Sequence, residues 1–185
     1  MPQAGFEYAD LSGVYVDGYA AKIRYFGMNA EVDSNIGYRG KWGKLNYDLG
    51  VYYYYYPGAG PALHSNFGEL GVKLTWGEGR VIPVLETYVS NNYFFGAGKS
   101  VFVWSGVDFS LPASVAVSAR IGYVAVEDNR AFRYPDYSTW LLSAGKEFFG
   151  LTWSLQLTDT SMTRRDCTDG SRCSVKFTVK IAKTF

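Results

Sequence analysis

The residues suited to acid–base or nucleophilic chemistry are few. His64 is the single histidine of the 185-residue chain, and Ser65 follows it directly. A histidine beside a hydroxyl can activate it as a nucleophile. However, no nucleophile elbow, phosphate-binding loop, zinc-ligand spacing or dinucleotide fingerprint accompanies this pair. We therefore expect a non-enzymatic protein without cofactor or metal, and we place His64 in a solvated loop; a catalytic His64–Ser65 pair is the least favoured alternative.

The two cysteines offer a second kind of chemistry. Cys167 and Cys173 lie in a polar segment, residues 163–174, with five residues between them. So close a pair favours a local disulfide formed in an oxidising compartment. Two free thiols are the alternative, and a metal site is less favoured because no third cysteine or nearby histidine completes it.

Charged side chains recur on alternate positions of apolar segments, so they share one face of a strand. Such charges are costly in hydrocarbon and belong on the inner face of a membrane barrel. There they could pair and stiffen the wall, or line a narrow polar path. The mixed signs predict no strong ion preference. The predicted lumen-lining residues are Glu31, Asp33, Arg39, Lys44, Asp48, Glu69, Lys73, Glu86, Asp108, Arg120, Glu147, Lys176 and Lys180, and Glu7 has the same parity.

Period-two alternation of apolar and polar residues predicts that these charges stand on strands, and helix signals are nearly absent. The pattern is clearest in residues 44–56, where Leu45, Tyr47 and Leu49 share one face with the odd-numbered residues after them. We predict eleven strands, covering residues 4–10, 13–26, 29–39, 44–56, 69–76, 80–90, 101–111, 115–123, 137–149, 151–158 and 175–185.

The composition excludes several classes of protein. A net charge of +1 gives no electrostatic case for binding nucleic acid. The chain is too apolar and too weakly charged to be disordered. The longest uncharged stretch, residues 49–68, contains two prolines and is therefore not a transmembrane helix. A helical membrane protein is thus excluded, whereas a β-rich one is not.

Strand length and aromatic placement favour a transmembrane barrel over a soluble β-sheet protein. Many predicted strands span about 9–11 residues, the length that crosses a bilayer when tilted. Aromatic residues cluster toward strand ends, as the two aromatic girdles of a membrane barrel require. These clusters are Tyr53–Tyr56, Trp76, Tyr93–Phe95, Tyr134 with Tyr137, and Phe148–Phe149. Aromatic packing inside a soluble barrel is the alternative.

The connections predict a single up-and-down barrel over residues 1–185. Short turns at residues 10–13, 40–43, 77–80, 112–114 and 150 alternate with longer connections near residues 27–29, 57–66, 91–98, 128–136 and 163–172. Short periplasmic turns and long outer loops give this rhythm in outer-membrane barrels. With eleven strands the first and last run in the same direction. We therefore expect a missing N-terminal strand, lost with a signal peptide, and a complete barrel of twelve, because bacterial barrels normally have an even number. Direct closure of residues 4–10 on residues 173–185, as a parallel pair in an eleven-stranded barrel, is the alternative.

Several motifs resemble the TorF-type porin family of proteobacteria. The clearest is residues 46–58, where Asn-Tyr-Asp-Leu-Gly-Val leads into five tyrosines and Pro-Gly. Residues 4–15 resemble the family's early hairpin, residues 68–77 its next strand, and residues 183–185 its ending. The resemblance implies an outer-membrane β-barrel labelled as a porin, and it supplies no catalytic residues.

Together these features predict a narrow passive porin for small polar solutes in the outer membrane of a Gram-negative bacterium. The expected partners are outer-membrane lipid and the barrel-assembly machinery, which recognises a terminal aromatic such as Phe185. The alternative function is a structural or anchoring barrel that docks another protein through its outer loops. A loop rich in tyrosine and arginine would suit such docking; its residues are Arg130, Phe132, Arg133, Tyr134 and Tyr137.

Overall fold

A computed structural model of the chain describes residues 2–25, 27–163, 165–167, 173 and 175–183. These residues form one antiparallel sheet in which every strand pairs with its neighbours in sequence order. All eleven predicted strands are present. They are β1 (Gln3–Ala9), β2 (Val14–Tyr25), β3 (Met28–Trp42), β4 (Leu45–Tyr55), β5 (Phe67–Trp76), β6 (Val81–Ser90), β7 (Ser100–Leu111), β8 (Val115–Val126), β9 (Tyr137–Phe148), β10 (Leu151–Thr160) and β11 (Lys176–Ala182).

The connections divide the sheet into two ends. The short-turn end carries the turns that join β1 to β2, β3 to β4, β5 to β6, β7 to β8 and β9 to β10. Gly13 and Gly77 occur there with φ of 96°, a conformation that glycine adopts without steric cost. The long-loop end carries the remaining connections, as predicted, with one exception. Only residues 26–27 separate β2 from β3, so the longer connection expected there is wrong.

The described chain contains little helix, and most of it lies in the long loops; one 3-10 turn, Pro112–Ser114, forms the short β7–β8 connection. Residues Pro61–Leu63 and Phe94–Gly96 form single 3-10 turns, and α1 (Asn129–Phe132) is a single α-helical turn. The Asp128 side chain accepts hydrogen bonds from the backbone N–H groups of Arg130 and Ala131, which caps α1. No helix in the described part of the chain is long and apolar enough to cross a membrane.

The sheet is curved so that distant strands face each other. The hydroxyl groups of Tyr25, at the end of β2, and Tyr134, just before β9, lie 2.8 Å apart. In a flat sheet, strands seven positions apart are separated by roughly 34 Å. One cavity is lined by Ile23 of β2, Phe67 of β5 and Lys176 of β11. The strands therefore curl around a shared interior, and we call the inner surface the concave face and the outer surface the convex face.

The curved sheet is not closed among the described residues, because β1 and β11 are its two edge strands. All seven residues of β1 are exposed, and β11 is exposed at every position except Thr178. Since neighbouring strands alternate in direction, β1 and β11 run the same way, as the strand count predicted. Direct pairing of these edges would be parallel.

Candidate functional site

Cross-strand register brings residues of eight strands, six of them polar, into one row across the concave face. Arg39 pairs with Asp48, and the row continues through Lys73, Glu86 and Trp104. It ends at Gly122, Thr139 and Thr160. Because residues directly opposite each other in a sheet share a face, this register places the charges on one surface.

Arg39 connects four strands near the short-turn end. Its guanidinium donates two hydrogen bonds to the Glu7 carboxylate, at 2.7 and 2.8 Å, and one to Asp48 at 2.9 Å. It also lies 3.7 Å from the centre of the Tyr15 ring. The Tyr15 hydroxyl donates to Asp48 at 2.6 Å and accepts from the Asn35 amide at 3.2 Å. Arginine suits this position because its planar group can form paired hydrogen bonds and stack on a ring at once.

Two further ion pairs lie on the same face. Lys73 contacts Glu86 at 3.1 Å across β5 and β6. Arg120 contacts Asp108 at 2.6 Å across β8 and β7. The Ser118 hydroxyl also donates a hydrogen bond to Asp108, at 2.6 Å. Ion pairs between neighbouring strands are the arrangement expected if these charges stiffen the barrel wall.

Three glycines on the concave face make room for tyrosine rings. Gly37, Gly50 and Gly71 are direct neighbours on β3, β4 and β5. A Cβ atom added to any of them would lie within 2.4–2.7 Å of a tyrosine ring, that of Tyr15 or Tyr52. The tyrosine rings therefore lie against bare backbone, and side chains there would displace them.

The remaining predicted lumen residues are not joined in ion pairs within the described chain. Glu31, Asp33 and Glu69 lie on β3 and β5 toward the long-loop end. By register Glu147, Lys176 and Lys180 face the concave side of β9 and β11. Lys44 differs from the prediction, because it lies in the turn between β3 and β4 and is exposed there.

Aromatic side chains fill the long-loop end of the concave face. Met28, Tyr56, Phe67, Phe94 and Phe95 form one buried cluster. A second buried cluster contains Ala97, Val124, Val126 and Phe132, with Tyr93, Tyr134 and Tyr137 packed against it. The prediction that Tyr93–Phe95, Tyr134 and Tyr137 belong to an outward girdle is therefore wrong.

The alternation of residues along strands could not predict that these aromatic side chains pack inward, because the residues lie on loops or next to them. Phe132 is buried, so the aromatic part of the predicted docking loop packs inward, while Arg130 and Arg133 stay exposed.

The convex face is apolar and exposed along most strands. It carries Val16 on β2, Ile36 on β3, Val51 on β4, Leu155 on β10 and Val179 on β11, all substantially exposed. Exposed aromatics mark both ends of this surface: Trp42, Trp76 and Phe148 near the short turns, and Tyr53, Tyr55 and Tyr123 nearer the long loops.

The cysteine pair and the His64–Ser65 pair both lie in loops of the long-loop end. Cys167 and Cys173 form a disulfide, as predicted. His64 ends the 3-10 turn of the β4–β5 loop, and Ser65 beside it is buried. No side-chain hydrogen bond joins this pair in the described part of the chain. The terminal Phe185 lies outside the described residues.

Comparison with curated proteins finds no match. Comparison with solved structures finds none either. A sequence profile described as "bacterial protein of unknown function (Gcw_chp)" matches residues 2–185, which is nearly the whole chain. The chain belongs to the Gcw_chp family.

Proposed function

We propose that the protein is an outer-membrane β-barrel whose concave face lines a narrow passive pore for small polar solutes, in the manner of the TorF-type porins it resembles. The convex apolar surface carries this proposal. The largest exposed apolar patch of a typical soluble monomer covers a few hundred Å². Here exposed valine, leucine, isoleucine and aromatic side chains cover strands from β2 to β11. Lipid is the solvent that suits such a surface, and most strand charges lie on the concave face. The convex exceptions, Lys22, Lys146 and Asp159, lie near the ends of their strands.

Closure of the barrel is part of the proposal. An open sheet edge in hydrocarbon leaves unpaired backbone groups that each cost several kcal/mol. One further antiparallel strand between β1 and β11 would pair both edges and make an even total of twelve. Amide hydrogen exchange of the protein in lipid tests this. The backbone amides of β1 that point away from β2 should exchange slowly, because the added strand would bond them. Fast exchange of these amides in lipid would contradict closure.

Tryptophan quenching tests membrane insertion. Trp153 lies on the convex face of β10, whereas Trp104 lies in the concave row. In single-tryptophan variants reconstituted in vesicles with brominated acyl chains, we expect strong quenching at Trp153 and weak quenching at Trp104. Equal quenching at both positions, or a chain that stays monomeric in water without detergent, would contradict the proposal.

Conductance separates a pore from a closed barrel. Twelve strands are fewer than the 16–18 that leave a wide aqueous channel, and the lining charges have mixed signs. We expect small, weakly selective steps in planar bilayers. Large or strongly ion-selective steps would contradict a narrow mixed-charge pore.

The second candidate is a closed structural barrel, which the paired charges and the aromatic clusters at the long-loop end favour. Silence in both the wild type and a Phe94→Ala variant would support it. Steps that grow in Phe94→Ala would support the pore instead, because that ring belongs to the cluster that narrows the end.

A further inference from the structure

A cavity of about 440 Å³ lies at the long-loop end of the concave face. This volume is within the range of small-molecule sites. Most of its wall is aromatic: Tyr25, Tyr56, Phe67, Tyr93, Phe94, Phe132, Tyr134 and Tyr137. Ring stacking holds this wall together, since Phe67 packs on Tyr93 with centroids 4.7 Å apart and Phe94 packs on Tyr56 at 5.1 Å.

Glu31 is the one acidic residue among the described residues that line the cavity. In the described chain it forms no ion pair, and neither do Asp33 and Glu69 on the neighbouring wall. Glu31 and Glu69 have hydroxyl partners, Tyr56 and Tyr54. A hydroxyl does not neutralise a carboxylate, and partly burying a carboxylate that no cation neutralises is unfavourable. A cation held among the rings would neutralise this wall.

Unused hydrogen-bond acceptors lie below the cavity on the same strand as Glu31. Asn35 is only 7% exposed, and its side-chain oxygen has no donor. One carboxylate oxygen of Asp33 is also buried without a donor. Native structures leave few buried polar atoms unpaired. Neither residue lines the cavity, so these oxygens add negative character to the strand beneath it without contacting a guest.

The tyrosines of the cavity experience the same negative environment. Burial, followed by the Glu31 carboxylate, raises the pKa of Tyr56, and burial together with Glu69 raises the pKa of Tyr93. Arg24 and Lys176 also line the cavity, but both side chains are exposed. Both cations are more exposed than Glu31, so solvent screens them more than it screens this carboxylate.

We propose that this cavity binds a small organic ammonium ion, with Glu31 as its counter-ion and the aromatic wall around its carbon frame. Aromatic rings attract cations through their negative faces, most strongly where water is excluded. The wall therefore recognises both the charge and the apolar part of one ligand. The site deepens the proposed pore, because it stands at the pore's long-loop end, but binding does not require conductance.

Three probes of matched shape test the charge requirement. Phenethylammonium, 2-phenylethanol and 3-phenylpropanoate carry the same ring with a positive, neutral or negative end. In isothermal titration of the folded protein in detergent, corrected with micelle blanks, we expect the ammonium to bind at least about tenfold more tightly than the alcohol. The carboxylate should not bind measurably. Equal affinities for ammonium and alcohol would overturn the proposal and leave an apolar cavity only.

Two variants locate the site. Glu31→Gln should reduce the preference for ammonium to within about threefold, because the counter-ion is lost while the shape is kept. Glu147→Gln is the matched control, since it removes a concave-face carboxylate next to the short turn that follows β9. It should keep the full preference. An equal loss in both variants would assign the effect to overall charge and overturn the site. If Glu31→Gln fails to fold, the wild-type comparison of probes still decides the charge requirement.

Binding and transport fail separately in these experiments. Ammonium binding without conductance would leave the site intact in a closed barrel. Conductance without ammonium binding would leave the pore intact and remove the site.

Discussion

The two ends of the concave face are held together by different interactions. Near the short turns, Arg39 joins Glu7, Asp48 and Tyr15 in a hydrogen-bonded network on regular strands. Near the long loops, Phe67, Phe94 and the residues around them pack as a buried aromatic cluster. Regular strands fix the angles that charge pairs need. Irregular loops do not, so non-directional aromatic packing suits them.

The aromatic end should show the largest response to a single substitution. Phe94 is 7% exposed and contacts the rings of Tyr25, Tyr56 and Phe95. Phe94→Ala should lower the free energy of unfolding by roughly 3 kcal/mol, because it leaves a cavity among packed rings. Urea unfolding in detergent or lipid measures this. The control is Phe149→Ala at the opposite end, where the side chain is 87% exposed; a cost there as large as at Phe94 would contradict the comparison.

The glycine row should respond next. A Cβ at Gly71 would lie 2.5 Å from the Tyr52 ring and 2.8 Å from the Tyr88 ring. Gly71→Ala should therefore cost about 1–3 kcal/mol through overpacking. Gly145→Ala is the matched control on the same face, because its nearest contact is 3.4 Å. Equal unfolding free energies for the two variants would show that the tyrosines move aside freely.

The strands of this protein can be predicted from its sequence much better than its loops. Alternation of apolar and polar residues predicted every strand, because a strand's side chains alternate with period two and one face of this sheet is mostly apolar. It also predicted which charges share a face. It could not predict that Arg39 reaches Glu7 two strands away, since parity carries no information on side-chain reach.

The loops set the other limit on prediction. Tyr93, Phe94 and Phe95 lie outside the strands, so no period indicates whether they point to lipid or inward. Neither the aromatic clusters nor the cavity at Glu31 has a signal in the sequence. The Cys167–Cys173 disulfide was predictable because a short separation restricts where the two sulfurs can lie.

The charge network at the short-turn end should respond less than the aromatic end, because Arg39 is partly exposed. Its charge-assisted hydrogen bonds are worth about 1.5–3 kcal/mol when buried and less when solvated. Arg39→Met leaves the Glu7 and Asp48 carboxylates facing each other, so we expect a loss of about 1–2 kcal/mol, which added salt reduces by screening. Arg39→Lys should fall between this variant and the wild type, since lysine keeps the charge and loses the paired geometry.

Lys41 provides the matched control for Arg39. It forms an ion pair with Glu78, and both side chains are at least half exposed. Lys41→Met should change the unfolding free energy by less than about 1 kcal/mol. A larger cost at Lys41 than at Arg39 would show that connection of four strands adds nothing to stability.

The smallest expected effect concerns pH at the β10–β11 loop. The backbone N–H and the hydroxyl of Thr163 both donate to one Asp166 oxygen at 2.7 Å. These hydrogen bonds, the hydroxyl's first, hold the pKa of Asp166 below its ordinary value of 3.8. Because the folded pKa is lowered, the carboxylate's contribution to loop order is present above pH 3.8 and is lost as the pH falls through the lowered value. Carbon-13 NMR of the Asp166 carboxyl should therefore show a midpoint below 3.8 in the wild type and a return toward 3.8 in Thr163→Val, which removes the hydroxyl donor. Since the group lies in a loop outside the sheet, global unfolding should not change over this range. A parallel loss of the whole sheet would show that the loop is coupled to the strands.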